Sequence, residues 1–401
     1  MKSFLYICIL IVISQCFFQI ADAADGTDSI LELLVKKGII TEDESLKLKQ
    51  KDSTDTQGPQ SAISSKPVSK IAIGGKVEMR YEDSEGEEGT FKMKLFEPFV
   101  QIDFNDNISL KGQLECTTDS AKVNEAWIQY KDLPGVGGGL KAGKIRRKSF
   151  GLYQGGSARI SCDYSLLARA FTGERQVGIE YFRRFDNAGF MGTVDLSLGM
   201  FNGGDIGTRE AGDNADTPVL FMAERAGDVD DNQAKEGTVR FATQPCKELK
   251  IGISALIGKL SSNDLAAVNA ALATSYTDDS KQRYGGDISY VFGAFPLELR
   301  AEYIFAETGE LESDSWYLMV ISRLADNKLD LYTRYSQLNL DIDVSPDSQT
   351  WDLQQLTLGV VWHLAGTSQL QLEYDLNTED LPSGTDSVNN NIIRLEWQTT
   401  F

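Results

Sequence analysis

Histidine, proline and cysteine are all scarce: one, nine and five in 401 residues. A single histidine cannot build the zinc sites that take two or three histidine ligands, and it leaves at most one histidine general base. Cys8 and Cys16 fall in the N-terminal leader, which leaves Cys116, Cys162 and Cys246 with no CxxC spacing. That set permits one disulfide and one thiol, or three thiols, and it is not a disulfide scaffold. Positive charge is also short, with 39 basic residues against 59 acidic ones and a formal net charge of -20. Such an acidic chain lacks the basic footprint of a nucleic-acid binder. After the leader, no segment approaches 18 consecutive apolar residues, so no second helical span is expected. An acidic chain without such helices is either a soluble protein or a membrane β-barrel.

What is present begins with that leader. Lys2 precedes the apolar run Phe4–Ile20, and Ala21-Asp22-Ala23 has the small-x-small form of a signal peptidase site. Residues 1–23 are therefore expected to be a signal peptide cleaved before Ala24. Residues 24–50 read as a periplasmic helical, coiled-coil-like segment. Ile30, Leu31, Leu33, Leu34 and Val35 cluster ahead of Gly38, and Thr41-Glu42-Asp43-Glu44 opens a second short helix. Residues 51–69, polar with Gly, Pro and Ser, read as a flexible linker.

From Lys70 onward the period becomes two. Ile71, Ile73, Val77 and Met79 alternate with Lys76, Glu78 and Arg80; Leu297, Leu299 and Ala301 with Glu298, Arg300 and Glu302; Leu370, Leu372 and Tyr374 with Gln371, Glu373 and Asp375. These are strands with one apolar and one polar face. Their length, about 10–13 residues, suits a tilted membrane crossing better than a soluble strand. Strands are expected near 70–82, 91–105, 107–117, 122–131, 137–145, 175–184, 189–201, 236–245, 248–260, 281–293, 296–307, 313–324, 328–340, 351–364, 367–377 and 390–401. That makes about 16, or about 18 if a loop hides a hairpin, an even number as single-chain barrels require. Short turns such as Phe292–Pro296 alternate with long polar loops, as in outer-membrane barrels. The last strand carries Ile393, Leu395, Trp397 and Phe401 on one face and Arg394, Glu396 and Gln398 on the other. A terminal aromatic of this kind is the usual outer-membrane assembly signature. The fold class expected is a transmembrane antiparallel β-barrel over 70–401 with a short N-terminal helical segment, in the bacterial outer membrane. Trp127, Trp316, Trp351, Trp362 and Trp397 are expected in its interfacial girdles.

The most basic stretch falls in the first long connection. Lys141, Lys144, Arg146, Arg147 and Lys148 end one strand, and Arg159, Arg169 and Arg175 follow across the loop. A loop of this length folded into the lumen would place those cations at a constriction, where Lys and Arg select anions by field and hydrogen bonding. The alternative is that they sit at the rim against lipopolysaccharide phosphates. Around this stretch, Tyr130-Lys131, Leu133-Pro134-Gly135, Gly143, Phe150-Gly151 and Gly173-Glu174-Arg175 resemble the phosphate-selective porin O and P family. The segment Ile30–Glu44 is similar to the front of many such porins. Where that family carries two prolines, this chain has Arg146-Arg147-Lys148. The resemblance implies a homotrimeric 16-stranded porin with Arg and Lys lining its lumen.

The faces inferred for the strands give a mixed lumen. Lys76, Arg80, Lys111, Arg240, Lys250, Arg300, Arg334 and Arg394 are set against Glu78, Asp103, Glu115, Glu180, Asp195, Glu298, Glu302, Asp330, Glu373, Asp375 and Glu396. Such a lumen suits a general or weakly anion-preferring channel. Asp228, Asp230 and Asn232 echo a calcium loop, but Gln233 and Val239 stand where it needs Gly and Glu. His363 falls on a polar strand face without a locatable nucleophile, so no catalytic residue, metal site or cofactor is expected. The function expected is passive diffusion of small hydrophilic solutes or anions through an outer-membrane porin, in contact with membrane lipid and lipopolysaccharide. An adhesive or envelope-tethering barrel and a soluble secreted β-protein are the alternatives.

Overall fold

The computed structural model describes residues 68–85, 88–152, 159–172, 175–203, 206–210, 220–224, 235–272, 274–293, 295–325, 327–341, 352–380 and 390–401. The expected signal peptide, helical segment, nearly all of the linker and the calcium-like loop lie outside the described residues. The strands are β1 (Lys70–Ser84), β2 (Thr90–Asp103), β3 (Ile108–Cys116), β4 (Ala121–Tyr130), β5 (Gly139–Arg146), β6 (Arg175–Phe185), β7 (Thr193–Phe201), β8 (Ile206–Glu210) and β9 (Leu220–Glu224). They continue as β10 (Glu236–Cys246), β11 (Leu249–Lys259), β12 (Ser280–Val291), β13 (Leu297–Thr308), β14 (Leu311–Leu324), β15 (Leu329–Asp341), β16 (Asp352–Ala365), β17 (Ser368–Asp380) and β18 (Ile392–Thr400). All except β8 and β9 pair with their neighbours into one closed antiparallel barrel of sixteen strands.

Alternation fixes which face turns inward, because a slip of one residue would exchange every side chain between faces. Ile73, Ile253, Leu372 and Trp397 are exposed on the outer surface, whereas Arg80, Arg283, Glu373 and Glu396 are buried inside. The barrel is thus apolar outside and charged inside, the reverse of a soluble core. Closure comes from β1 against β18, with Lys76 opposite Thr400 and Ser84 opposite Ile392. Beyond that ladder, Gly75 and Phe401 exchange backbone hydrogen bonds at 2.9 and 3.0 Å. The Phe401 ring lies where a Cβ on Gly75 would stand and stacks with Phe96. The terminal aromatic therefore seals the seam.

The connections fall into two sets at opposite ends. One end has tight turns, such as 104–107, 247–248 and 366–367. The other carries 147–174, 202–235, 260–279, 342–351 and 381–391. A hairpin does hide in 202–235, but β8 and β9 form a separate two-stranded sheet and do not enlarge the barrel. The connection 260–279 holds a helix that strand periodicity does not reveal, α1 (Ser262–Leu272). Ser261 and Asp264 form its capping box: the Asp264 N–H donates to Ser261 Oγ at 2.9 Å and the Ser261 N–H to Asp264 Oδ2 at 3.1 Å. Asp264 Oδ1 also accepts the Ile206 N–H at 2.7 Å. Ile206, Leu260, Val268, Leu311 and Leu340 close a small core at this end.

Two sequence expectations resolve here. Cys116, Cys162 and Cys246 are three free thiols. Trp127 leaves the girdle: it stands opposite Lys111 in the ladder, and its indole N–H donates to Glu125 at 3.1 Å. An irregularity in the β3–β4 ladder between Gln113 and Leu114 changes the register there. Trp362 and Trp397 are exposed on the outer face.

Candidate functional site

The connection between β5 and β6 folds into the barrel, and the wall holds its backbone at several points. Glu180 on β6 accepts the Lys148 and Ser149 N–H groups at 2.7 and 2.8 Å. Glu302 on β13 accepts the Leu152 N–H at 2.6 Å, and Glu373 on β17 accepts the Cys162 N–H at 2.9 Å. Arg80 on β1 donates to the Cys162 carbonyl at 2.8 Å. Arg334 on β15 donates to Ser161 Oγ at 2.8 Å. These partners lie on well-separated strands, so the loop crosses the lumen. Charged groups suit this task because a carboxylate or guanidinium forms a stronger hydrogen bond than a neutral group.

The loop also has an apolar seat. Phe150, Leu166, Leu167, Ala170 and Phe171, the last two in a π-helical turn Ala168–Thr172, pack against Leu256, Ile304, Ala306, Ile321, Leu338 and Leu353. Those wall residues stand on the inward parity of β11, β13, β14, β15 and β16, a face expected to be polar. Burial of each large apolar side chain stabilises by about 1.5–3 kcal/mol, enough for the cluster to define the loop's position. The signal was in the sequence: Trp316–Ile321, Tyr303–Ala306 and Leu358–Trp362 are apolar on both parities, the mark of strands buried on both faces.

The eight basic residues separate into distinct roles. Arg147 is a root anchor, buried at 4% exposure. It donates to Glu236 and Gln176 at 3.1 Å each, and Lys281 shares Glu236. Arg169 pairs with Asp163 at 2.5 Å, Arg159 with Glu78 at 3.4 Å and Arg175 with Glu97 at 3.8 Å. Arg146 is buried and sits 5.2 Å from the Tyr164 ring, and Arg159 lies 4.8 Å from the same ring. Lys141 stands 4.0 Å over the Trp127 ring. Lys144 lies opposite Ala126 and Val177 in the ladder, and Lys148 is exposed. The structure therefore gathers Arg146, Arg159 and Arg175 around Tyr164 and places Arg147 and Lys141 elsewhere.

The loop's titratable groups reflect this crowding. Burial alone would raise the Asp163 carboxyl, but Arg169, Lys94, Arg394 and Arg80 hold it well below the usual carboxylate range. Burial would likewise raise the Tyr164 phenol, and Arg146, Arg159 and Arg175 bring it below its ordinary value. The Cys162 thiol is pushed well up, by burial first and then by Glu373 and Glu396.

The lumen groups expected from strand alternation complete the polar lining, joined by Asp287 and Glu82, which sequence alone does not bring forward. Arg240 and Asp287 form a two-point ion pair at 2.5 and 2.9 Å, passing over Gly252 where a Cβ would collide with both. Arg394 bridges Glu82, Glu373 and Asp375. His363 meets Asp330 at 3.0 Å. A cavity beside the loop is bordered by Arg159, Ser161, Lys250, Glu298, Arg300 and Arg334.

No protein-family model and no curated protein sequence matches this chain. Solved structures do match. The barrel is similar to the outer-membrane channel DcaP of Acinetobacter baumannii, with a TM-score of 0.59 and 11% identity over 85% of this chain and 100% of that one. It is similar to OmpF of Salmonella typhi, with a TM-score of 0.57 and 11% identity over 84% and 99%. An anion-selective porin from Comamonas acidovorans gives a TM-score of 0.56 and 12% identity over 83% and 99%. The structural neighbours are bacterial outer-membrane porins, and at these identities the likeness is one of fold.

Proposed function

We propose that this chain is a porin of the bacterial outer membrane, an aqueous channel for passive diffusion of small hydrophilic solutes, with no catalytic step of its own. The carrying observation is a closed barrel, apolar outside and charged inside, with its longest early loop folded across the lumen. Lipid and lipopolysaccharide would surround it. A homotrimer is the assembly that the porin O and P resemblance implies. An anion or phosphate preference is the finer part of the reading, supported by the gathering of Arg146, Arg159 and Arg175 at Tyr164. Glu78 and Glu97 offset part of that charge, so the preference is expected to be weak. The test is single-channel recording of the refolded protein in planar bilayers. Discrete conductance steps are expected, with a reversal potential on the anion side in a salt gradient and partial block of chloride current by inorganic phosphate. Absence of steps would defeat the channel reading; steps without phosphate block would remove only the phosphate preference.

A further inference from the structure

One row of inward-facing residues runs across the wall beside the folded loop. Lys250 on β11 stands opposite Ser289 on β12, and Ser289 opposite Arg300 on β13. Arg300 in turn stands opposite Met319 on β14, and Met319 opposite Arg334 on β15. The whole row borders the cavity beside the loop, which has a volume of about 160 Å³. Leu152 and Ile160 of the loop and Tyr317 of the wall give the same cavity an apolar surface. Two kinds of lining therefore share one space, a cationic strip and an apolar patch.

The charge of the strip is incompletely cancelled. The Arg334 guanidinium donates to Ser161 Oγ, the Asp163 carbonyl, Gln355 and Thr357, all neutral acceptors. Its Nε has no hydrogen-bond partner, and among the described residues no carboxylate lies within ion-pair distance of it. Arg300 meets Glu298 at 2.5 Å, but Arg323 holds the other oxygen of that carboxylate. Lys250 reaches Asp195 only at 4.0 Å, and Arg159, also on the cavity, reaches Glu78 at 3.4 Å. Side-chain exposure falls from 44% at Lys250 to 21% at Arg300, and Arg334 is buried. The cavity is thus entered from the Lys250 end, next to the tight turn 247–248, and is deepest at Arg334.

We infer that this cavity binds a small organic carboxylate with an apolar body, such as an aromatic monocarboxylate. The inference rests on the channel reading and names the solute class held beside the loop. Lys250 and Arg300 each stand one strand from Ser289, about 4.8 Å away at the backbone, so both long side chains can meet one carboxylate over the serine hydroxyl. The body of the solute then lies against Met319, Leu152 and Ile160. A cavity of about 150 Å³ is large enough for a benzene ring. Acetate has the charge but no body to bury. Inorganic phosphate would turn oxygens toward the apolar patch, where they find no donors and lose their water. The open Lys250 end lets the solute leave again, as conduction requires.

Planar-bilayer recording of the full chain in chloride at pH 7 tests this with benzoate, acetate and inorganic phosphate added in turn. Benzoate should reduce the open-channel current at a concentration about tenfold below acetate, because only benzoate buries a ring. Phosphate should block no better than acetate. Lys250→Gln, at an exposed position, should weaken block by benzoate and acetate alike. Ile160→Thr should remove most of the difference between the two and leave acetate block as it was. Should Ile160→Thr not refold, Leu152→Thr carries the same comparison. Equal block by benzoate and acetate in the unmodified protein overturns the proposal. So does phosphate block at the lowest concentration, or benzoate block that Lys250→Gln leaves untouched. A protein without conductance steps before any solute is added defeats the channel reading instead.

Discussion

Arg147 shows why a cation in the right stretch of sequence need not act on solutes. Its guanidinium reaches Glu236, Gln176 and the Phe171 carbonyl, and both it and Glu236 have side chains only 2% exposed. Removing one partner of a buried pair costs about 3–5 kcal/mol, since the other charge is left uncompensated. Arg147→Ala should therefore lower the urea concentration at which the heat-modifiable folded band is lost. Lys148→Ala, one residue on and exposed, should cost less than about 0.5 kcal/mol. Equal losses, or an Arg147→Ala protein of full stability and altered ion selectivity, would show that Arg147 belongs to the pore and not to the root of the loop. Sequence placed both residues in one basic cluster. Their separation depends on Glu236, a residue 89 positions away, and such a partner is invisible to local spacing.

At the scale of elements, every barrel strand was legible, because a period of two sustained over a whole crossing leaves one consistent inward face. What escaped was what folds inside and on top. Helix α1 is only Ser262–Leu272, and its capping pattern lay in a stretch read as loop. The apolar seat escapes a period-two pattern because Trp316–Ile321 has no alternation. Sequence places the loop itself in the lumen, but it shows the wall glutamates that hold its amides only as lining. Asp163 gives this loop a testable pH response. Its carboxyl is held well below its ordinary value near 3.8. A group depressed in this way contributes stability above its ordinary value, and the contribution is lost as pH falls through the lowered one. Asp163's hold on Arg169 should thus survive from neutral pH to about pH 4 and fade only below it. Open-channel current noise should stay flat over that range and rise at stronger acidity. Asp163→Asn, which removes the charge at all pH values, should be noisy already at pH 7. A quiet Asn variant at neutral pH would show that the Asp163 charge does not restrain the loop.

At the scale of the whole molecule, two electrostatic effects oppose each other. The chain carries a net charge of -20, so its long-range field draws cations toward the mouths. Inside, many charges cancel in pairs such as Arg240–Asp287 and Arg80–Glu396. Among the described residues, Lys141 and Arg146 keep no carboxylate within ion-pair distance, and these act at contact range. The two effects differ in reach, and salt separates them. The screening length falls from about 30 Å at 0.01 M to about 3 Å at 1 M. At low salt the overall acidic field should therefore raise cation entry and mask the lumen. At high salt only contacts of a few ångströms survive, and the unpaired cations should prevail. The anion-to-cation permeability ratio, measured at a fixed concentration gradient, should rise steadily as mean salt increases from about 0.01 to about 1 M. Lys141→Gln should flatten that rise while leaving the low-salt limit nearly unchanged, because one charge is a small part of the total field. A ratio that is constant with salt, or that drifts toward cations, would mean that the acidic field is not felt at the entrance or that the lumen contacts do not select. In the second case the folded loop would constrict the channel by size alone.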